Sequence, residues 1–203
     1  ASQKLSQLVT SDEVETRSDV VVIDAGHGGE DPGKVGVNGA LEKDINLQIA
    51  KKVEEHLEKQ GVQVVMTRED DQTEASKRKD MEKRVALINE VKPIIAVSVH
   101  QNSYTDPSIK GAQVFYYSNS AESKELAQKI QKSLVEVLDK ENGRKAKSSD
   151  NYYLLKNTTC PMAIVESGFL SNTKECELLE TDYYQEKVAW AVYMGIMRYF
   201  NSK

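Results

Sequence analysis

The 203-residue chain has only two cysteines and three histidines. Cys160 and Cys176 are too few for a disulfide framework and lack zinc-finger spacing, so they read as structural residues without redox or nucleophilic roles. No run of 18 apolar residues occurs, which leaves no segment that reads as a membrane span. The net charge of −5 gives no basic excess, and a general nucleic-acid binder would show a basic stripe. The compact H-E-x-x-H zinc motif is missing, as are internal repeats and low-complexity tracts. No secretory leader is visible. The chain opens at Ala1 without Met, and the expectation is that a targeting segment has been removed. Residues 1–18 are polar and weakly patterned and read as a leader or linker.

What remains is enough for one folded domain over residues 19–203. Hydrophobic residues make up 39% and charged residues 29%, a balance that buries a core and argues against a disordered tail. Strand and helix signals alternate. Residues 20–23 (V-V-V-I) form a β-branched run of the kind buried on both faces of a sheet. Leu41, Ile45, Ile49, Val53 and Leu57 recur every four residues before Gly61, predicting an amphipathic helix over 41–60. Residues 62–67 read as a strand and 69–80 as a solvated polar loop. Met81, Val85, Ile88 and Val91 mark a second helix, stopped by Pro93. Residues 94–99 (I-I-A-V-S-V) predict a central strand and 112–117 one nearer an edge. Leu126, Ile130, Leu134 and Leu138 mark a third helix, and residues 152–155 and 162–165 read as strands. Asn172 with Glu175 fits a capping box, and a last helix begins at Asp182. The pattern predicts a single α/β domain: a central, mostly parallel sheet of about six strands with helices on both faces.

Such sheets gather ligands beyond the carboxyl ends of their strands. His27 follows one predicted strand, inside D-A-G-H-G-G-E-D-P-G (residues 24–33), and His100 follows another. Two imidazoles brought to one sheet edge point to a metal ion. A catalytic zinc takes three protein ligands and keeps one position open, so a carboxylate is needed as well. Glu42, in the first turn of the helix after the glycine turn, fits that place; Asp24, Glu30 and Asp31 are the alternatives near His27. Glu166 ends the strand M-A-I-V and is the candidate general base. The remaining histidine, His56, lies mid-helix and reads as a surface residue. The glycine turn lacks the spacing of a dinucleotide loop.

These residues fall in motifs with a family resemblance. D-A-G-H-G-G-E-D-P-G, L-E-K-D-I-N-L, T-R-E-D-D, S-V-H-Q-N and V-E-S-G-F-L-S-N occur in the order seen in zinc-dependent N-acetylmuramoyl-L-alanine amidases of the Amidase_3 type, over roughly residues 19 to 200. R-K-A-K-S-S-D-N-Y-Y-L-L-K-N-T-T-C-P (residues 144–161) and the ending with G-I-M-R-Y-F resemble the germination-specific, CwlD-like branch from spore-forming bacteria. The resemblance implies a single α/β catalytic domain, with His27, Glu42 and His100 binding Zn2+ and Glu166 catalytic. The implied reaction cuts the amide between the lactyl group of N-acetylmuramic acid and L-alanine in peptidoglycan. In the spore branch this is the first step towards muramic-δ-lactam in the cortex. It also implies an extracytoplasmic setting and an activator or accessory lipoprotein as partner.

Softer readings follow from the same motifs. Asn102 contacts substrate or stabilises its turn, and Asp24 orients His27 or caps the turn. Arg68 and Arg84 read as structural salt-bridge residues, and Phe169 and Leu170 as groove lining or core. Many cell-division amidases carry a long autoinhibitory helical segment before the second histidine. Residues 69–80 leave room only for a short loop, so an open site is expected. Two other activities compete with this reading: a catalytically silent wall-binding or scaffolding module, and a zinc peptidase or deacetylase acting on another amide of the wall.

Overall fold

The computed structural model describes residues 18–203. The segment read as a leader, residues 1–18, therefore lies outside the described residues except for Ser18, which opens the first strand. The elements follow in the order β1 (Ser18–Ala25), α1 (Glu42–Glu58), β2 (Gln63–Met66), α2 (Lys77–Val91), β3 (Pro93–Asn102), β4 (Gln113–Tyr116), α3 (Ala121–Val137), β5 (Lys147–Ser148), α4 (Tyr153–Asn157), β6 (Met162–Phe169), α5 (Thr173–Leu179) and α6 (Asp182–Phe200).

The strands form one six-stranded sheet in the order β2-β1-β3-β6-β4-β5. β2, β1, β3 and β6 run parallel, while β4 pairs antiparallel to β6. The sheet is covered on both faces. Val21, Ile23, Ala25, Ile95, Val97, Val99, Ala163 and Val165 join the core under α1, α3 and α6. Their alternates Val22, Ala96, Met162 and Ile164 pack with Ile88 of α2 and with Leu154 and Leu155 of α4. This is the period-two division of a strand between its two faces. Continued along the strands, the α2 side then turns polar. Asp24 pairs in register with Ser98, and His100 with Glu166.

The structure departs from the sequence expectation in four places. Residues 152–155 are not a strand: Tyr152 is the N-cap of the short helix α4. Y-Y-L-L is a short apolar run, and such runs do not separate strand from buried helix by periodicity. β5 is only two residues long, too short to leave a period-two pattern in the sequence. The Asn172–Glu175 box is half formed. Asn172 Oδ1 accepts from Glu175 N at 3.1 Å, but the Glu175 carboxylate accepts from Phe169 N and Gly111 N instead. β3 and β6 also run past their predicted ends, so His100, Asn102 and Glu166 lie within strands.

Candidate metal centre and active site

The site is built on the carboxyl ends of β1, β3 and β6. After Ala25 the chain turns sharply, and His27 takes a left-handed conformation at φ 61°. That conformation is uncommon for a residue with a Cβ and persists only where its surroundings enforce it. Here the surroundings are two buried arginines. Arg84 donates to His27 O at 2.7 Å and to Ala25 O at 2.6 Å. Arg68 donates to the carbonyls of Ala25, Gly26, Lys43 and Asp70. Arg84 is thus the expected salt-bridge residue, 2.7 Å from both Asp24 and Asp80. Arg68 acts instead as a clamp on main-chain oxygens.

The outer edge of the turn is tied down by residues 71–73. Asp71 accepts from Gly29 N at 3.0 Å and from Lys43 Nζ, and Thr73 donates to Gly28 O at 3.1 Å. The loop read as simply solvated therefore also holds the glycine turn on its inner side.

Glu42 opens α1 and is only 2% exposed. Its Oε1 lies 2.9 Å from His100 Nδ1 and 3.3 Å from His27 Nε2. Oε1 also accepts from Gln101 N, and Oε2 accepts from Lys34 N at 2.7 Å. Burial opposes ionisation of this carboxyl, but the hydrogen bonds and charges of His100 and His27 outweigh it and hold its pKa well below the usual range. The two imidazole rings stand edge to face with centroids 4.9 Å apart. One donor atom from each of His27, Glu42 and His100 falls within 4.8 Å of the others, close enough to share a metal ion. The rings are 16% and 19% exposed, so solvent reaches the cluster.

Of the other acids near His27, Asp31 and not Asp24 touches the ring. Asp31 Oδ2 lies 2.8 Å from His27 Nδ1, which leaves Nε2 facing the cluster. Asp24 is fully occupied beneath the turn by Arg84, Thr67 Oγ1 and Ser98 Oγ. Burial raises the Asp24 pKa, but Arg84 and the two hydroxyls prevail and bring it down to about 2. Glu30 points into solvent.

Glu166 sits on β6 opposite His100 and is 7% exposed. Burial, with Glu42 nearby, pushes its carboxyl pKa up against the opposing pull of His100. Its Oε1 accepts from Tyr152 OH, a partner that sequence patterning did not reveal. Asn102 turns its Oδ1 back onto Ser103 N at 2.8 Å, a turn-stabilising contact. Leu170 is wholly core, and Phe169 is buried beneath the Arg144 guanidinium. His56 is not a free surface residue: it is mostly buried against Trp190 and Tyr193, with Nε2 2.7 Å from Glu186. Cys160 and Cys176 are buried thiols rather than a disulfide.

Fold and site together define an α/β domain with two histidines and one carboxylate clustered at its strand ends and a second carboxylate buried beside them. The family model for N-acetylmuramoyl-L-alanine amidase (Amidase_3) matches residues 21–198. The chain belongs to this family and is an amidase of peptidoglycan.

The chain is 42% identical to the germination-specific N-acetylmuramoyl-L-alanine amidase of Bacillus subtilis, over 91% of this chain and 81% of that protein. Among solved structures, it resembles the CwlD amidase of Clostridioides difficile, determined in complex with the GerS lipoprotein. That likeness has a TM-score of 0.88 and 40% identity, over 91% of this chain and 99% of that one. The catalytic domain of the amidase CwlV from Bacillus (Paenibacillus) polymyxa aligns with a TM-score of 0.80 and 33% identity, over 91% of this chain and 99% of that domain. No helix among the described residues is long and apolar enough to cross a membrane.

Proposed function

We propose that the chain is a zinc-dependent amidase that hydrolyses the bond between the lactyl group of N-acetylmuramic acid and L-alanine. The observation that carries this reading is the convergence of one donor atom each from His27, Glu42 and His100 within 4.8 Å at the strand ends, with Glu42 Oε1 3.3 Å from His27 Nε2 and 2.9 Å from His100 Nδ1. Two imidazole nitrogens and one carboxylate form a donor set suited to zinc with a position left for substrate. Bound there, zinc supplies Lewis acidity toward the scissile carbonyl and toward water.

The chain's own residues do the rest. Asp31 fixes His27 so that Nε2 faces the cluster. Glu42 brings negative charge to the site and is held in place by Lys34 N and Gln101 N. Glu166 takes the proton of the attacking water as its oxygen bonds to the carbonyl carbon. It then passes that proton to the alanine nitrogen as the carbon–nitrogen bond breaks. A carboxyl whose pKa is raised by burial is suited to both halves of that transfer. Asn102, two residues beyond His100, is the candidate substrate contact.

The likeness to a germination-specific amidase supports a role in the spore cortex, as the first step of muramic-δ-lactam formation on the wall side of the membrane. The related CwlD structure, solved with a lipoprotein, supports an accessory lipoprotein as partner here too.

The test is digestion of purified peptidoglycan with and without a chelator, with products identified by mass. The expected product is a new alanine amino terminus, formed only when metal is present. A split peptide bond, or released acetate, would place the chain on another amide. Glu166→Gln should bind zinc yet leave the polymer uncut.

A further inference from the structure

We propose that Tyr152 is a positioning residue for the reaction, its hydroxyl holding one oxygen of Glu166 so that the other is aimed at the reacting water. The inference rests on Glu166 being the proton-transfer group, as argued above. Tyr152 OH donates to Glu166 Oε1 at 3.2 Å. Glu166 Oε2 is buried and has no hydrogen-bond partner among the described residues. An unsatisfied carboxylate oxygen is costly inside a protein, and such groups call for an explanation, a catalytic role among them. The asymmetry supplies one here: one oxygen is anchored and its twin is left for chemistry.

The anchor also restricts motion. The terminal torsion of a glutamate is broad and roughly two-fold, so a carboxylate without a fixed partner swings freely. A donor on Oε1 removes that freedom and fixes Oε2.

The tyrosine is well placed for the task. It is the N-cap of α4, with Lys156 N donating to its carbonyl at 3.2 Å. Its ring packs on Phe115 with centroids 5.4 Å apart, and it lies against the core that holds Leu155, Met162 and Ile164. Tyr152 also lines a cleft of about 100 Å³ together with His27 and His100, so the residue that bonds Glu166 borders the same site. Burial and the charge of Glu166 push the phenol pKa well up, so the hydroxyl keeps its proton and remains a donor.

The test compares Tyr152→Phe and Tyr152→Leu with the native chain on a soluble muramoyl-peptide. Tyr152→Phe removes one oxygen and keeps the ring. It should lower kcat about tenfold or more, with KM, zinc content and thermal midpoint unchanged. Tyr152→Leu should show the same loss in kcat plus a lower thermal midpoint, since the ring's packing goes as well. A kcat for Tyr152→Phe within about twofold of native overturns the proposal. So does a loss accounted for by reduced zinc content or folded fraction. Glu166→Gln separates the two levels of the argument. If it stays active, Glu166 is not the proton-transfer group. If it is inactive while Tyr152→Phe is normal, only the role of Tyr152 falls.

Discussion

Arg84 Nη1 lies 2.7 Å from Asp24 Oδ1, and both side chains are buried beneath the turn that carries His27. The same guanidinium holds the carbonyls of Ala25 and His27. The pair is therefore both a buried ion pair and the support of a strained backbone. Removing one partner of such a pair leaves an uncompensated charge and typically costs about 3–5 kcal/mol. Arg84→Met should lose about that much stability at neutral pH in denaturant unfolding. The loss should shrink as pH falls, because the stranded Asp24 escapes its cost by taking up a proton.

In the native chain the same pair sets an acid limit. Asp24 has its pKa depressed from 3.8 to about 2. A depressed carboxylate contributes stability that is fully present above its unfolded pKa. That contribution drains away as pH falls through the folded value. The window is therefore from about pH 5 down to pH 2, and the contribution is about 2 kcal/mol. Unfolding free energies measured across that range should decline, and the decline should be shallower in Arg84→Met.

Asp31 is expected to act through His27. Asp31→Asn keeps the shape but removes the carboxylate charge beside His27 Nδ1 that orients and enriches the ring. Losing such a partner typically costs roughly 10- to 100-fold in metal affinity. Zinc competition titration should show a drop of that order with the fold intact. An unchanged affinity would mean that the Asp31 contact is incidental.

Gly26 makes a steric prediction. It is not among the glycines with positive φ, so backbone freedom does not explain it. A Cβ at this position would overlap the His100 ring, which lies directly on the main chain. Gly26→Ala should displace that ring. The expected result is a loss of about 1–3 kcal/mol from overpacking, together with weakened metal binding. Thermal unfolding and zinc content, measured on the same sample, check both.

Much of this was legible in the sequence because the informative residues stand at element boundaries. The β-branched run before His27, the I-I-A-V-S-V run before His100 and the four-residue period after Leu41 place their neighbours by local rules alone. What escaped reading depends on long-range contacts. Three acids, Asp24, Glu30 and Asp31, crowd near His27 along the chain, and only the left-handed turn at His27 selects Asp31 to touch the ring while Asp24 points down to Arg84. His56 reads as exposed because Glu186, Trp190 and Tyr193 are distant in sequence. Tyr152 escapes patterning because four apolar-looking residues fit a strand or a helix turn equally well.

The most direct measurement is X-ray absorption at the zinc edge on purified, dialysed protein. The account predicts one zinc per chain with two imidazole nitrogens at about 2.0–2.1 Å and oxygen completing the shell. A shell containing sulfur, a single imidazole, or no zinc retained at all would contradict it.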